Sequence, residues 1–97
     1  MLKYEVANEE PIIRHTIFGR LEAVEYTLYL DNYDIGVMEM AMDETHVFIF
    51  NVYLEEDFRG EGFFTRWLRS LELVIVAFQP VPEAEAYWER VADEIYY

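Results

Sequence analysis

The apolar residues of this chain change their repeat at one glycine loop. Up to residue 54 they run in β-like stretches. From residue 63 they recur at helical spacing, with Phe63, Phe64, Trp67, Leu68 and Leu71 on one stripe. Between the two lies Arg59-Gly60-Glu61-Gly62. Glycines let a backbone turn sharply and come close to a ligand. The first N–H groups of the following helix have no partner within it, and the helix dipole favours negative charge there. A strand, a glycine turn and a helix start together suit an anion, with phosphate the first choice.

The charge sharpens that reading. Twenty acids face seven lysines and arginines, a formal net charge of −13 over 97 residues. Direct contact with nucleic acid is disfavoured, because phosphate neutralisation needs the opposite sign. A basic partner is favoured: a lysine-rich protein, a polyamine, or a protein that itself binds nucleic acid. The same acidity also serves solubility. Three of the few cations, Arg59, Arg66 and Arg69, fall in the window from Phe58 to Leu71, where Glu61 is the single acid. A clustering of cations around one helix start again fits an anionic ligand.

The length allows a single domain over residues 1–97. With 54% hydrophobic residues the chain can fill a core. There is no cysteine, hence no disulfide framework, thiolate zinc site or thiol nucleophile. The two histidines, His15 and His46, lack a spaced carboxylate motif and make no metal site. Met1 to Glu5 reads as the start of a strand, not as a leader. The longest apolar run, Leu73 to Phe78, is too short to span a bilayer. The expectation is a soluble cytoplasmic protein without membrane attachment.

Residues 2–7 read as a short strand and 11–18 as a strand or irregular edge. An exposed edge there offers a surface for a homodimer. Leu21 to Leu30 is rich in β-formers, and 31–34 make a turn by composition. Ile35 to Met42 alternates Val37, Glu39 and Ala41 against Met38, Met40 and Met42. Asp43-Glu44 turns the chain into a further strand, His46 to Leu54. These segments predict an antiparallel meander. After the first helix, Leu73 to Phe78 suits a buried strand. Pro82 then opens a second helix, with Ala84, Tyr87, Trp88, Val91 and Ile95 as its apolar face. Strand, helix and strand in succession predict a parallel crossover, with ligands at the carboxyl ends of the strands.

These residues resemble the GCN5-related N-acetyltransferases. Val52-Tyr53-Leu54 stands for the family's strand end, Glu55-Glu56-Asp57-Phe58 for its acidic turn, and Arg59-Gly60-Glu61-Gly62-Phe63-Phe64 for its loop. Ala84 to Asp93 looks like the family's late helix. The match covers about residues 21–93 and implies a mixed α/β (α+β) sheet: a meander followed by helix, strand and helix. The resemblance further implies acetyl-CoA as cofactor. The loop from Arg59 to Phe64 would hold its pyrophosphate, Val52 and Leu54 would pair with the pantetheine arm, and Arg66 and Arg69 would add charge. A lysine, a polyamine or an N-terminal amine would attack the thioester directly.

The chain departs from the family at three places. Phe64 stands at the second small position and puts bulk next to the phosphates. Trp88 stands where a tyrosine often protonates the leaving thiolate, which leaves Tyr87 as the substitute. Residues 47–54 contain no acid, so the base falls to His46 or Glu39, or to water. Two functions fit. One is an acetyl-CoA-dependent acyltransferase for an amine on a basic partner. The other is a non-catalytic acidic protein of the same fold that covers the basic surface of a nucleic-acid-binding protein, as inhibitors from phages and mobile elements do.

Overall fold

The computed structural model describes residues 2–60 and 62–97. Among these, six strands form one sheet in the order of the chain: β1 (Leu2–Thr16), β2 (Gly19–Leu30), β3 (Tyr33–Met42), β4 (His46–Leu54), β5 (Val74–Phe78) and β6 (Glu94–Tyr96). Helix α1 (Phe63–Ser70) joins β4 to β5, and α2 (Glu85–Val91) joins β5 to β6. The first four strands pair antiparallel. The β4–β5 and β5–β6 pairs are parallel. This is the mixed α+β sheet expected from the sequence, meander first and crossover after.

The two amino-terminal segments are one strand. β1 runs unbroken through Pro11 because irregular pairing between Val6 and Asn8, and between Asn8 and Ile12, absorbs the mismatch with β2. The β2–β3 turn is tight, with Asp31 and Asn32 at φ 51° and 72°. Short polar side chains tolerate that left-handed region and suit a two-residue hairpin.

The β3–β4 turn is built on Asp43. Its Oδ1 accepts the backbone N–H groups of Thr45 and His46 at 2.8 and 2.7 Å. These bonds favour the charged form and hold the carboxyl below its ordinary value of 3.8. The stabilisation is complete above that ordinary value and fades as pH falls through the lower, folded one. Asp43→Asn is expected to melt earlier at neutral pH and to lose less on acidification than the wild type. Thermal melts between about pH 2.5 and 6 measure both slopes.

Both helices cover one face of the sheet. Leu28, Met38, Met40, Val47 and Ile49 meet Phe64 and Leu68 of α1 and Trp88 and Val91 of α2. Met38 and Met40 are buried as the alternation predicts, while Met42, at the strand end, is 41% exposed. The second helix is shorter than its apolar repeat predicts. Ile95 belongs to β6, not to the helical face. The cause is Asp93, which donates its backbone N–H to the Ile75 carbonyl at 2.8 Å and accepts the Ile75 N–H on Oδ2 at 2.8 Å. That pair draws the chain alongside β5, whose outer edge needs a partner.

The helix-free face is closed by the β1–β2 hairpin, whose tip residue Phe18 lies 5.1 Å from Phe48 and 5.7 Å from Tyr96. Glu39 is buried on this face at 7% exposure. Arg14 of β1 binds it through two bonds of 2.7 Å, Nε to Oε2 and Nη2 to Oε1. Arg14→Ala leaves that carboxylate without its cation. The expected cost is about 2 kcal/mol, below the loss for a fully buried pair because Arg14 is partly solvated. Urea unfolding of Arg14→Ala, Glu39→Gln and the double variant separates this pairing from simple loss of side chains.

Candidate functional site

The sheet opens where β4 and β5 part. Between β3 and β4 the register skips one residue: Glu39 faces Asn51 and Met40 faces Ile49, which leaves Phe50 as the extra residue. A bulge bends its strand and increases its twist. On the other side the parallel pairing stops at Ile49 and Ala77. β5 then turns away through Gln79, at φ 45°, into Pro80, which has no N–H to continue a ladder. β4 continues along β3 to Leu54, so the edge of Asn51 to Leu54 that looks toward β5 has no strand partner. Apart from the Leu54 carbonyl, which accepts a bond from Arg59 Nε, backbone groups there are available to water or to a ligand.

Next to that edge sits the glycine loop. Gly60 and Gly62 adopt φ 76° and 80°. Gly62 is the N-cap of α1, and its carbonyl accepts the N–H of Arg66 at 3.0 Å. The N–H groups of Phe63, Phe64 and Thr65 precede the first intrahelical bond. Arg66 folds back over the loop: its Nη1 lies 3.3 Å from where a Cβ on Gly62 would stand. A cleft of about 380 Å³ opens here, lined by Val52, Leu54, Arg59, Gly60, Gly62, Phe63 and Phe64 from this side and by Tyr87, Trp88 and Arg90 from α2. Glu61 lies outside the described residues.

The bulk of Phe64 does not enter the cleft as its sequence position predicts. The side chain is 5% exposed and packs in the core, with its ring 5.7 Å from Trp67. Arg59 binds the Leu54 carbonyl through Nε at 2.8 Å and lies 5.3 Å from the Tyr53 ring, where it clasps the end of β4.

Tyr87 is held at the α1 side of the cleft by a 2.7 Å hydrogen bond between its hydroxyl and Thr65 Oγ1. Burial pushes its phenol above the ordinary value of 10, against the pull of Thr65, Arg69 and Arg90. It keeps its proton at neutral pH. Arg90, whose guanidinium is 5.9 Å from the Tyr87 ring, also lines the cleft. The sequence reading passed over Arg90. Its signal was the three-residue spacing from Tyr87, which puts both on one helix side.

A narrow gap of about 30 Å³ lies between the parted strands. It shares Val52, Ala84 and Trp88 with the cleft. On the far side it shares Phe50, Phe78 and Gln79 with a second cavity of about 390 Å³ under the hairpin. His15 of β1 lines that second cavity. Nothing in its sequence neighbourhood marked it, because only the curl of the hairpin brings it there.

The remaining candidates lie elsewhere. His46 sits at the start of β4, bonded to Thr45 Oγ1 at 2.6 Å and stacked on Phe48. It is four residues from Phe50, about 13 Å along a strand. Glu39 is occupied by Arg14. Neither Arg66 nor Arg69 lines the cleft; Arg66 borders a neighbouring hollow beside Phe58 and Phe63. Among the described residues no group of histidines and acids fits a metal ion, and no helix is long and apolar enough to cross a membrane.

No known protein family matches the chain, and no curated protein matches it. Among solved structures it is similar to an aminoglycoside acetyltransferase from an uncultured soil metagenomic sample, determined in complex with sisomicin. The identity is 11% and the TM-score 0.36, over 76% of this chain and 45% of that one. The chain thus spans less than half the length of that enzyme. A likeness this loose carries no inference about activity.

Proposed function

We propose that the cleft between β4 and α1 binds acetyl-CoA and that the chain is an N-acetyltransferase for primary amines. The observation that supports this reading is the conjunction of a parted strand pair with a glycine-capped helix start. One opening offers an unpaired strand edge, free N–H groups and two arginines. The residues fit the molecule. The edge of Val52 to Leu54 suits the amides of a pantetheine arm. Gly60, Gly62, Phe63 and Phe64 suit a pyrophosphate, with Glu61 in the same loop by position. Arg59 and Arg90, which line the cleft, suit phosphate charge, with Arg66 behind Gly62, and the inward turn of Phe64 leaves room.

When bound, acetyl-CoA supplies an acyl group already activated as a thioester. The chain would position a neutral amine. An amine nitrogen must shed its extra proton before it attacks, and His15, which lines the far cavity, carries an imidazole able to accept one. Tyr87 is engaged with Thr65 and lies outside the gap, and the Trp88 indole is too weak an acid to donate. No side-chain acid serves the gap among the described residues. The chain has no cysteine, so acyl transfer through an enzyme thioester does not arise.

Calorimetric titration tests the reading. Acetyl-CoA is expected to bind in the micromolar range, and desulfo-CoA similarly. No binding at about 1 mM acetyl-CoA rules the reading out. A second reading keeps the fold and drops the chemistry. The exposed acids Glu55, Glu56 and Asp57 beside the cleft, with Glu5, Glu9 and Glu10 along β1, favour docking on a basic protein such as one that binds nucleic acid. A charge-driven complex of that kind weakens steeply with salt, whereas cofactor binding in a cleft does so less.

A further inference from the structure

We propose that two copies of the chain pair edge to edge along residues 2–6 of β1, antiparallel, with Tyr4 opposite Tyr4 of the second copy. The proposal does not rest on acetyl transfer. This edge is the outer side of β1, whereas the cleft lies at β4 and α1.

β1 is the first strand of the sheet order, so one side of its backbone has no strand partner. Such edges invite pairing, and chains blunt them with proline, like charges or irregular twist. The middle of β1 has all three. Glu9, Glu10 and Pro11 fall where the register with β2 slips, between Asn8 and Ile12. Residues 2–6 have neither proline nor slip, and pair in turn with β2 from Leu2 with Leu30 to Val6 with Tyr26. Their side chains alternate between the two faces. Leu2 packs on the core, and the Tyr4 ring lies 5.3 Å from Trp67 of α1, so residues 2, 4 and 6 share the helix side. Tyr4 and Val6 are nevertheless 39% and 53% exposed. Lys3 and Glu5 are exposed on the other face, and among the described residues neither has an ion-pair partner.

Symmetry selects the register. A two-fold axis through an antiparallel strand pair sets one residue opposite its own copy. Within the regular stretch the central choices are Lys3, Tyr4 and Glu5. Centring on Lys3 or on Glu5 puts like charges face to face, which destabilises a cross-strand pair. Centring on Tyr4 puts Lys3 opposite Glu5 of the second copy and Leu2 opposite Val6, each twice over. The two tyrosines meet in the middle. Every apolar side chain then faces an apolar one and every charge its opposite, so the segment is complementary to itself. This holds despite a net charge of −13 on each copy, because residues 2–6 carry one charge of each sign. Glu9 and Glu10 lie beyond the paired stretch. Pairing joins both sheets into one and covers Tyr4 and Val6. So short a ladder makes a small interface and hence a weak dimer.

Sedimentation equilibrium of the whole chain tests this. A monomer–dimer equilibrium is expected, with Kd between about 10 and 300 μM. Lys3→Glu and Glu5→Lys each set like charges opposite at two places. Each is expected to raise Kd about tenfold, and the double variant Lys3→Glu/Glu5→Lys to return it to within about threefold of wild type. The single variants change net charge in opposite directions, so a general charge effect would weaken one dimer and tighten the other. The chain has no cysteine, so crosslinking reads the register directly. Tyr4→Cys is expected to form a disulfide-linked dimer under mild oxidation. Val6→Cys is not, since the two copies of residue 6 stand about 13 Å apart along the strands. A monomer at about 1 mM, a tighter dimer for Glu5→Lys, no rescue in the double variant, or equal crosslinking at positions 4 and 6 each overturn the proposal. Circular dichroism confirms the fold of each variant, and the wild-type concentration series decides if one does not fold.

Discussion

Gly62→Val is expected to reduce acetyl-CoA affinity by at least about a hundredfold, while the sheet stays folded. The residue sits at φ 80°, where a β-branched side chain is strained by about 1–3 kcal/mol. The new Cβ also comes within 3.3 Å of Arg66 Nη1. Relief of either conflict moves the loop and with it the first N–H groups of α1 that a phosphate would use here. Gly19→Val is the control. Gly19 has φ 97° at the hairpin turn, with nothing within 4 Å of an added Cβ. It suffers similar strain away from the cleft, so it should lose stability and keep its affinity. Calorimetry on both variants, with circular dichroism to confirm folding, gives the comparison. Unchanged affinity in folded Gly62→Val would show that this loop does not hold the phosphates.

The largest stability effect is expected at Gly36, where conformation is not the issue. A Cβ at this position of β3 would collide with the backbone carbonyl oxygen of Tyr53 on β4 and stand 3.0 Å from the Leu54 Cα. Neither atom belongs to a flexible side chain, so the strands must separate. They would do so next to the Ile35 carbonyl, which receives the Glu55 N–H at 2.7 Å and anchors the chain as it leaves β4. Gly36→Ala is expected to cost on the order of 3 kcal/mol or more, or to prevent folding. A urea transition shifted by less than about 1 kcal/mol would mean that the strands do not approach this closely.

What the sequence disclosed and what it hid follow from the range of the interactions concerned. The meander was legible because alternation and turn chemistry are local: Met38 and Met40 declare one face, Asp31-Asn32 and Asp43-Glu44 declare the reversals. The helix after the glycines was legible for the same reason. The end of α2 was not. Ile95 fits a helical repeat from Val91, and only the distant Ile75, bonded twice to Asp93, turns the chain into a strand. The Phe50 bulge was equally hidden, since register depends on the partner strand. The glycine turn ahead of α1 was legible from local spacing. His15, Gln79 and Arg90 were missed because the cavity and the cleft are assembled from elements far apart in the chain. His46 stood out as a candidate by residue type alone, and in the fold it lies against Phe48 and Thr45, away from the cleft.

The parting of β4 from β5 also bears on how the molecule assembles. The antiparallel pairs up to β4 can zip outward from tight turns, whereas the parallel strands are joined only across the α1 and α2 crossovers. Loop closure of that kind is entropically expensive and forms late. The cleft and the gap both lie across this seam, so they are expected to be completed late in folding. A ligand seated there would therefore slow the unfolding rate in proportion to its occupancy and leave the refolding rate nearly unchanged.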